Sequence, residues 1–395
     1  MRSKNVRKKT IKIAVPLISR GIFAPHSDDA YKGIVMAVED INRSDGLLGQ
    51  NVECHVENTG LGLAEGMAIA RDRFMEYAPD LIFGGLQNDP DNVKIFGGTG
   101  VPYFNNMFSM EMIRNYQSNT RKCWNYIDIG GTEKAYSASS YRLLNHLIPN
   151  TFGYEYPNKK VALQVLQHST ATTIVYILKE MLLHAGWDIV YEQTHPWQQM
   201  DWTSQLAMMR SKRPSLIFFS SWGLSETISF LDQFFKDPWD ALFATYYGPS
   251  SPEFINVLGE KANGVLWEVS TGLIPTPQNL KWVQRFFERW GQLPGKSTPI
   301  WSYDIVMWWA KAVTKVGDPK DYRGIVSWIL NNVYFGLCGP YAIDALTHHQ
   351  IEDETGITLR PFHSFQIQNK TDELLFLGGL DQHSAKFIVP PWITR

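Results

Sequence analysis

The 395-residue chain is 44% hydrophobic and 19% charged, with 37 Lys and Arg against 39 Asp and Glu. That length supports two or three domain-sized units, and the near-neutral balance gives no general support to a nucleic-acid partner or an anionic membrane surface. No uninterrupted apolar run approaches the ~18–20 residues that span a bilayer, so direct membrane insertion is not expected.

The chain opens like an export signal, with the basic "MRSKNVRKKT" followed by an apolar stretch. Only Ile13 to Ser19 separate Lys12 from Arg20, however, and Pro16 interrupts them, which makes a marginal leader. "IKIAVPLI" reads instead as a strand, with β-branched Ile11, Ile13 and Val15 at alternate positions. Residues 1–10 are then a basic stub, and the fold begins at Ile11. Ser27, Asp28 and Asp29 predict the cap and acidic first turn of a helix. Its buried face is Tyr31, Ile34, Val35, Val38 and Ile41, and "NRSDGLLG" ends it.

"VECHVENT" predicts a second strand, and "AEGMAIARDRFMEY" a second helix with Met67, Ala70, Phe74 and Tyr77 on its apolar stripe. "PDLIFGG" is a buried strand closing on a glycine turn, and "VPYFNN" is another. The alternation continues through "KKVALQVL", "TTIVYILKEMLLHAG", "WDIVYEQ", "SQLAMMRSKRP" and "SLIFFSSW". Such alternation predicts an α/β class with parallel sheets. It occurs before and after about residue 130 without detectable internal repetition, which predicts two doubly wound lobes rather than one very wide sheet. Ligands in these folds bind outside the carboxyl ends of the strands, so two facing lobes predict a loop-lined cleft.

The order of "IKIAVPL", "AYKGIVMAVEDINRSDGLLGQNVE", "PDLIFGG", "DWTSQLAMMRSKRPSLIFFSSW", "WSYDIVMWWAKAV" and the late "HHQ" resembles the type I periplasmic binding proteins. Within them it resembles the Leu/Ile/Val-binding branch, which takes branched-chain amino acids, amides and related solutes. The resemblance runs from residue 11 to about 390. It implies two Rossmann-like lobes joined by three crossovers, near Tyr126–Gly131, Trp267–Thr271 and Gly339–Asp344, that close on a small solute. Lobe I would comprise 11–128 plus 270–341, and lobe II 129–269 plus 342–395.

The resemblance also implies that loops after the strands supply the solute contacts. Ser19 and His26 follow the first strand. Asn88 and Asp89 follow the third, where relatives often place a hydroxyl residue against a carboxylate. Met107 and Ser109 follow the fourth, Ser109 where relatives use a threonine hydroxyl. The Asn88 amide, the Ser109 hydroxyl and nearby main-chain N–H groups suit a carboxylate or an amide. In the second lobe, Thr170 stands where relatives are often aromatic, and Trp222 matches an aromatic position. Tyr246, Tyr247 and Trp267 extend a candidate apolar wall, although some of these rings are expected to pack lobe interiors. Ser250 stands where amino-acid binders commonly carry a glutamate for the α-ammonium. A buried ammonium without a carboxylate costs about several kcal/mol, which argues against a standard branched-chain amino acid unless Asp89 or Glu226 substitutes.

Other chemistry finds little support. Cys54, Cys123 and Cys338 are scattered without metal spacing and read as buried structural residues. His348 and His349 with Glu352 and Asp353 do not have the helix-borne HExxH spacing and read as structural. No GxSxG elbow, P-loop or GxGxxG fingerprint is present, and "GGTG" at 97–100 is too short for a phosphate cradle. The sequence therefore predicts no enzyme, cofactor or metal. Two roles compete: a periplasmic or extracellular receptor delivering its solute to the membrane permease of an ABC transporter, and a cytoplasmic ligand sensor of the same fold if Met1 is the native start. The resemblance favours transport.

Overall fold

A computed structural model describes residues 10–21, 23–85, 91–106, 109–353, 355–378 and 383–394. The chain runs β1 (Ile11–Ile18), α1 (Ala24–Arg43), β2 (Val52–Gly60), α2 (Ala64–Tyr77), β3 (Leu81–Gly85), α3 (Asn92–Gly97), β4 (Tyr103–Asn105), α4 (Met110–Gln117) and β5 (Tyr126–Asp128). It continues with α5 (Glu133–Arg142), β6 (Lys160–Leu166), α6 (Ser169–His184), β7 (Asp188–His195), α7 (Thr203–Lys212), β8 (Leu216–Ser220), α8 (Leu224–Phe234), β9 (Leu242–Tyr246), α9 (Pro252–Leu258) and β10 (Leu266–Val269). The remainder is α10 (Pro277–Trp290), α11 (Thr298–Val316), α12 (Tyr322–Asn331), β11 (Tyr334–Gly336), β12 (Gly339–Tyr341), β13 (Ile343–Asp344), β14 (His349–Gln350), β15 (His363–Gln368) and β16 (Thr371–Leu377). No helix among the described residues is long and apolar enough to cross a membrane.

These elements form two α/β units. One comprises Met1–Gly130, Leu273–Gln292 and Thr298–Ile351; the other comprises Gly131–Gly272, Leu293–Ser297 and Glu352–Arg395. The first holds a seven-stranded sheet in the order β13-β14-β5-β4-β3-β1-β2, the second one in the order β16-β15-β10-β9-β8-β6-β7. The plan is the same twice over. Five parallel strands reverse direction of addition between β1 and β3 in one sheet and between β6 and β8 in the other, and two further strands follow at the far edge. Those additions are partly antiparallel, β13 to β14 and β15 to both β10 and β16, so each sheet is mixed rather than purely parallel.

In the first unit, strand pleating sends alternate side chains to opposite faces. Ile13, Val15, Leu81, Phe83, Phe104 and Ile127 join the core under α1 and α11, while Ala14, Ile82, Tyr103 and Tyr126 join a second core under α2, α3 and α4. The stripe foreseen on α2 is buried at Met67, Ala70 and Phe74. Helix α1 begins earlier than its cap signal suggests. It starts at Ala24 with Pro25 in the first turn, where no intrahelical N–H is needed. Ser27 is thus inside the helix, and its Oγ accepts the Ile18 N–H at 3.0 Å, tying the end of β1 to α1.

The boundary between units also differs from the expected one. Residues 342–351 stay with the first unit because β13 and β14 form a hairpin and His349 pairs in parallel with Asp128 of β5. The chain passes to the second unit after Ile351, not at Gly339–Asp344, and residues 293–297 make a further excursion that no sequence signal marks. All three cysteines are free thiols; Cys123 and Cys338 are buried and Cys54 is half-buried, its thiol pushed up to about 12 chiefly by burial.

Candidate functional site

The switch points of the two sheets are where ligands bind in doubly wound folds, because adjacent loops there leave in opposite directions and open a crevice. At the first switch point, the turn after β1 is fixed by β2. Ser19 N–H and Arg20 N–H both donate to the Gly60 carbonyl at 3.0 Å, and Ser19 Oγ donates to Asn58 Oδ1 at 2.7 Å. Ser19 is exposed, whereas His26, in the first turns of α1, is buried. Gly60 has φ +63°, and a Cβ there would lie 2.9 Å from Arg20 Nη2, so the glycine leaves room for the guanidinium across the turn.

The end of β4 carries Asn105 and Asn106, both buried. Asn105 Nδ2 lies 3.4 Å from Asp128 Oδ2, while the Oδ1 atoms of both asparagines have no partner among the described residues. Asp128 accepts the Tyr126 hydroxyl at 2.5 Å and the Gly130 N–H at 2.9 Å. Ser109 is the N-cap of α4, its Oγ accepting the Glu111 N–H at 3.1 Å, so part of its hydroxyl capacity serves the helix. Asn88, Asp89 and Met107 lie outside the described residues.

In the second unit, His168 follows β6 and Trp222 follows β8, one on each side of the switch point. Their rings meet edge to face with centroids 5.6 Å apart. Trp197, after β7, completes the group: it lies 5.7 Å from His168 and 6.4 Å from Trp222. His168 Nδ1 accepts the Thr170 N–H at 3.3 Å, which caps α6 and assigns the proton of the neutral ring to Nε2. Burial lowers the His168 pKa, so the ring is neutral at pH 7. Thr170 itself is buried in the first turn, and Trp222 is 4% exposed against a half-buried Trp197.

Glu226, in the first turn of α8, is 1% exposed. It accepts the Ser221 hydroxyl at 2.6 Å and the Gln198 N–H, and burial raises its pKa. Each of its two oxygens thus already accepts a hydrogen bond from a loop of its own unit. Tyr247 has φ +32°, a strained region for a side-chain-bearing residue. It is held by a triangle of hydroxyls: Tyr136 Oη at 2.7 Å, Ser270 Oγ at 2.9 Å, and those two 2.9 Å from each other. Ser250 is buried on the same turn and donates its N–H to the Tyr247 carbonyl at 2.8 Å.

Tyr246 and Trp267 belong to the interior of this unit. Tyr246 packs edge-on against Phe218, and its hydroxyl pairs with Ser140. Trp267 stacks on Phe365 at 4.5 Å and donates to Asp372. Glu268 is buried among the Ser139, Ser140 and Ser364 hydroxyls, which offset part of its desolvation. The late histidines are buried too. His348 stacks on Tyr116 and donates Nδ1–H to the Tyr126 carbonyl, whereas Glu352 accepts from Thr132, both of these in the second unit. No metal-binding group of His, Cys, Asp and Glu occurs among the described residues.

The structure thus gathers Thr170 and Trp222 around His168, and Tyr247 and Ser250 on one turn, in the second unit. In the first unit Ser19 belongs to the loop after β1, whereas His26 lies inside α1 rather than in that loop and Ser109 caps α4. Sequence reasoning missed Asn105, Asn106, His168 and Trp197. The first three have a legible signal, a polar residue within two positions of a strand's carboxyl end. Trp197 has none, because its contacts cross loops distant in sequence.

A periplasmic binding protein family model matches residues 10–360. No curated protein sequence matches the chain. Among solved structures, a protein assigned to branched-chain amino acid ABC transport from Silicibacter pomeroyi aligns with TM-score 0.86 and 20% identity over 97% of this chain and 100% of its own. The branched-chain amino acid substrate-binding protein LivJ from Streptococcus pneumoniae, in complex with isoleucine, aligns with TM-score 0.76 and 16% identity over 93% of this chain and 99% of its own. A solute-binding protein of an ABC transporter from Rhodopseudomonas palustris, in complex with 3,4-dihydroxybenzoic acid, gives TM-score 0.74 and 16% identity over 91% and 93%. At these identities the likeness to the solved structures is one of fold.

Proposed function

The chain belongs to the periplasmic binding protein family, and on that premise we propose that it captures a small organic carboxylate, preferentially one bearing an aromatic ring, for delivery to an ABC permease. In this reading the ring of the solute lies on the aromatic group formed by His168, Trp197 and Trp222 in the second unit. One observation carries the preference. Glu226, the buried carboxylate beside those rings, is already engaged by Ser221 and Gln198, and Ser250 supplies no charge on the neighbouring turn. An amino acid would bring an ammonium group beside a carboxylate that already accepts two hydrogen bonds and whose charged form burial disfavours, and it would lose hydration there. An aromatic acid brings only its ring, whose burial and stacking are favourable.

That related folds hold isoleucine in one case and a hydroxylated benzoic acid in another makes both classes fair probes. The test is a melting-shift series with benzoate, 4-hydroxybenzoate, 3,4-dihydroxybenzoate, leucine, isoleucine and acetamide. A ligand present at a hundred times its dissociation constant stabilises the binding form by about 2.7 kcal/mol, worth about 5 °C or more for units of this size. A shift with the benzoates and none with the amino acids is expected. A shift confined to amino acids would overturn the preference, and no shift with any probe would overturn the receptor reading for this solute class.

A further inference from the structure

The loop between β7 and α7 is held unusually firmly for a segment leaving an edge strand. Gln198 has φ +63°, a left-handed backbone that disfavours side-chain-bearing residues. The conformation is secured by its N–H bond to the buried Glu226 carboxylate. Further along, Gln233 of α8 accepts the Trp202 N–H at 2.8 Å and donates to the Met200 carbonyl at 2.7 Å. Two tryptophans share this loop with different fates. Trp202 is fully buried between His195, Phe219 and Phe230, and fills the core. Trp197 stays half-buried and lies against His168 and Trp222, the two rings flanking the switch point.

Core packing accounts for Trp202, not for Trp197. An anchored, strained loop that presents a large ring beside the ligand crevice is costly unless the ring is used there. From this geometry we propose that Trp197 is the ring-recognition residue of the second unit, stacking on a planar aromatic solute, and that Glu226 is the positioning residue that fixes it through Gln198. The assignment rests on the aromatic-acid reading above and deepens it: selectivity for a flat ring comes from Trp197, while the carboxylate end of the solute is held elsewhere.

The experiment compares benzoate with cyclohexanecarboxylate, which has the same carboxylate and similar bulk but no π face, by titration calorimetry on the full chain. Aromatic pairing beyond simple burial corresponds to about two- to tenfold in affinity. Trp197→Ala and Trp197→Leu are expected to weaken benzoate by about that factor and to leave cyclohexanecarboxylate less affected, and Trp197→Phe to restore most of the ratio. Trp197→Leu keeps apolar bulk in the loop, so the test survives if the alanine variant folds poorly. Glu226→Ala is expected to lower the same ratio, with little further loss in the Trp197→Leu/Glu226→Ala double variant. Unchanged benzoate affinity in the Trp197 variants, or equal losses for both acids, overturns the assignment while the receptor reading stands. Absence of binding by the parent chain to either acid overturns both.

Discussion

Replacing Gly33 by alanine sets two effects against each other whose magnitudes decide the outcome. Gly33 lies inside α1, where alanine is intrinsically preferred by ~1 kcal/mol. Against that, a Cβ at Gly33 would lie 2.0 Å from the Pro299 carbonyl oxygen, 2.8 Å from its carbon and 3.0 Å from its Cα, where ordinary contact begins at 3.4 Å. The obstacle is backbone at the start of α11, not the end of a flexible side chain. Helix α11 would have to retreat by roughly 1 Å or more, and overpacking of this kind costs about 1–3 kcal/mol, occasionally more. The cost is at the upper end here because Ile34 and Ala37 of α1 and Ile300, Trp301 and Ile305 of α11 are all 0–1% exposed and share one core. A net loss of about 2 kcal/mol is expected, lowering the first thermal transition by about 4–8 °C. Circular dichroism melts measure this, and hydrogen exchange along α1 locates it. A variant as stable as the parent, or more stable, would refute the argument, since propensity would then outweigh a contact that the structure makes too close to accommodate.

Two further outcomes follow from buried ionisable groups. His195 is 1% exposed, and burial lowers its pKa from 6.5 to about 4. Between those values the unfolded chain binds a proton that the folded chain does not, so this residue's contribution falls as pH drops from 6.5 toward 4, by about 3 kcal/mol in all. Asp304 and Asp372, raised to about 6 mainly by burial, act in the opposite sense over pH 4–6, so the measurement is the difference between parent and His195→Phe. That difference in melting temperature should move in the variant's favour on acidification, and a constant difference from pH 7 to 4 would count against the assignment. Asp304 accepts the Leu337 N–H at 2.8 Å, the Cys338 N–H at 2.9 Å and the Tyr341 hydroxyl at 2.8 Å. Asp304→Asn leaves one buried backbone donor without an acceptor and should cost about 2–3 kcal/mol, with faster hydrogen exchange at Leu337 and Cys338; parent-like exchange there would contradict it.

Much of the fold is legible locally. "AEGMAIARDRFMEY" coincides with α2 because its apolar stripe follows the buried face, and "IKIAVPLI" coincides with β1 as a short β-branched run buried on both faces of the sheet. The start of α1 is less legible, since Ser27 has the chemistry of a cap but spends its oxygen on the Ile18 N–H across the turn. Strand pairing is less legible still. Nothing within residues 342–351 says that their partner is Asp128, more than two hundred positions away, so the passage between units was placed too early.

At the candidate site the division is similar. Sequence alone determined the α/β class, the twofold alternation and the strand-end loops, because each depends on short-range hydrophobic pattern and turn chemistry. Only tertiary structure decided which side chains are committed to holding the protein together. Glu226 reads as a ready carboxylate until Gln198, 28 residues away, is found on it. Tyr247 reads as one ring of a candidate ligand wall until its hydroxyl closes a triangle with Tyr136 and Ser270. Trp197 reads as an ordinary loop residue until two rings from other strands meet it. Hydrogen bonds and ring contacts between loops depend on where the sheet places strand ends, and that placement is set by the packing of the whole unit rather than by any segment of it.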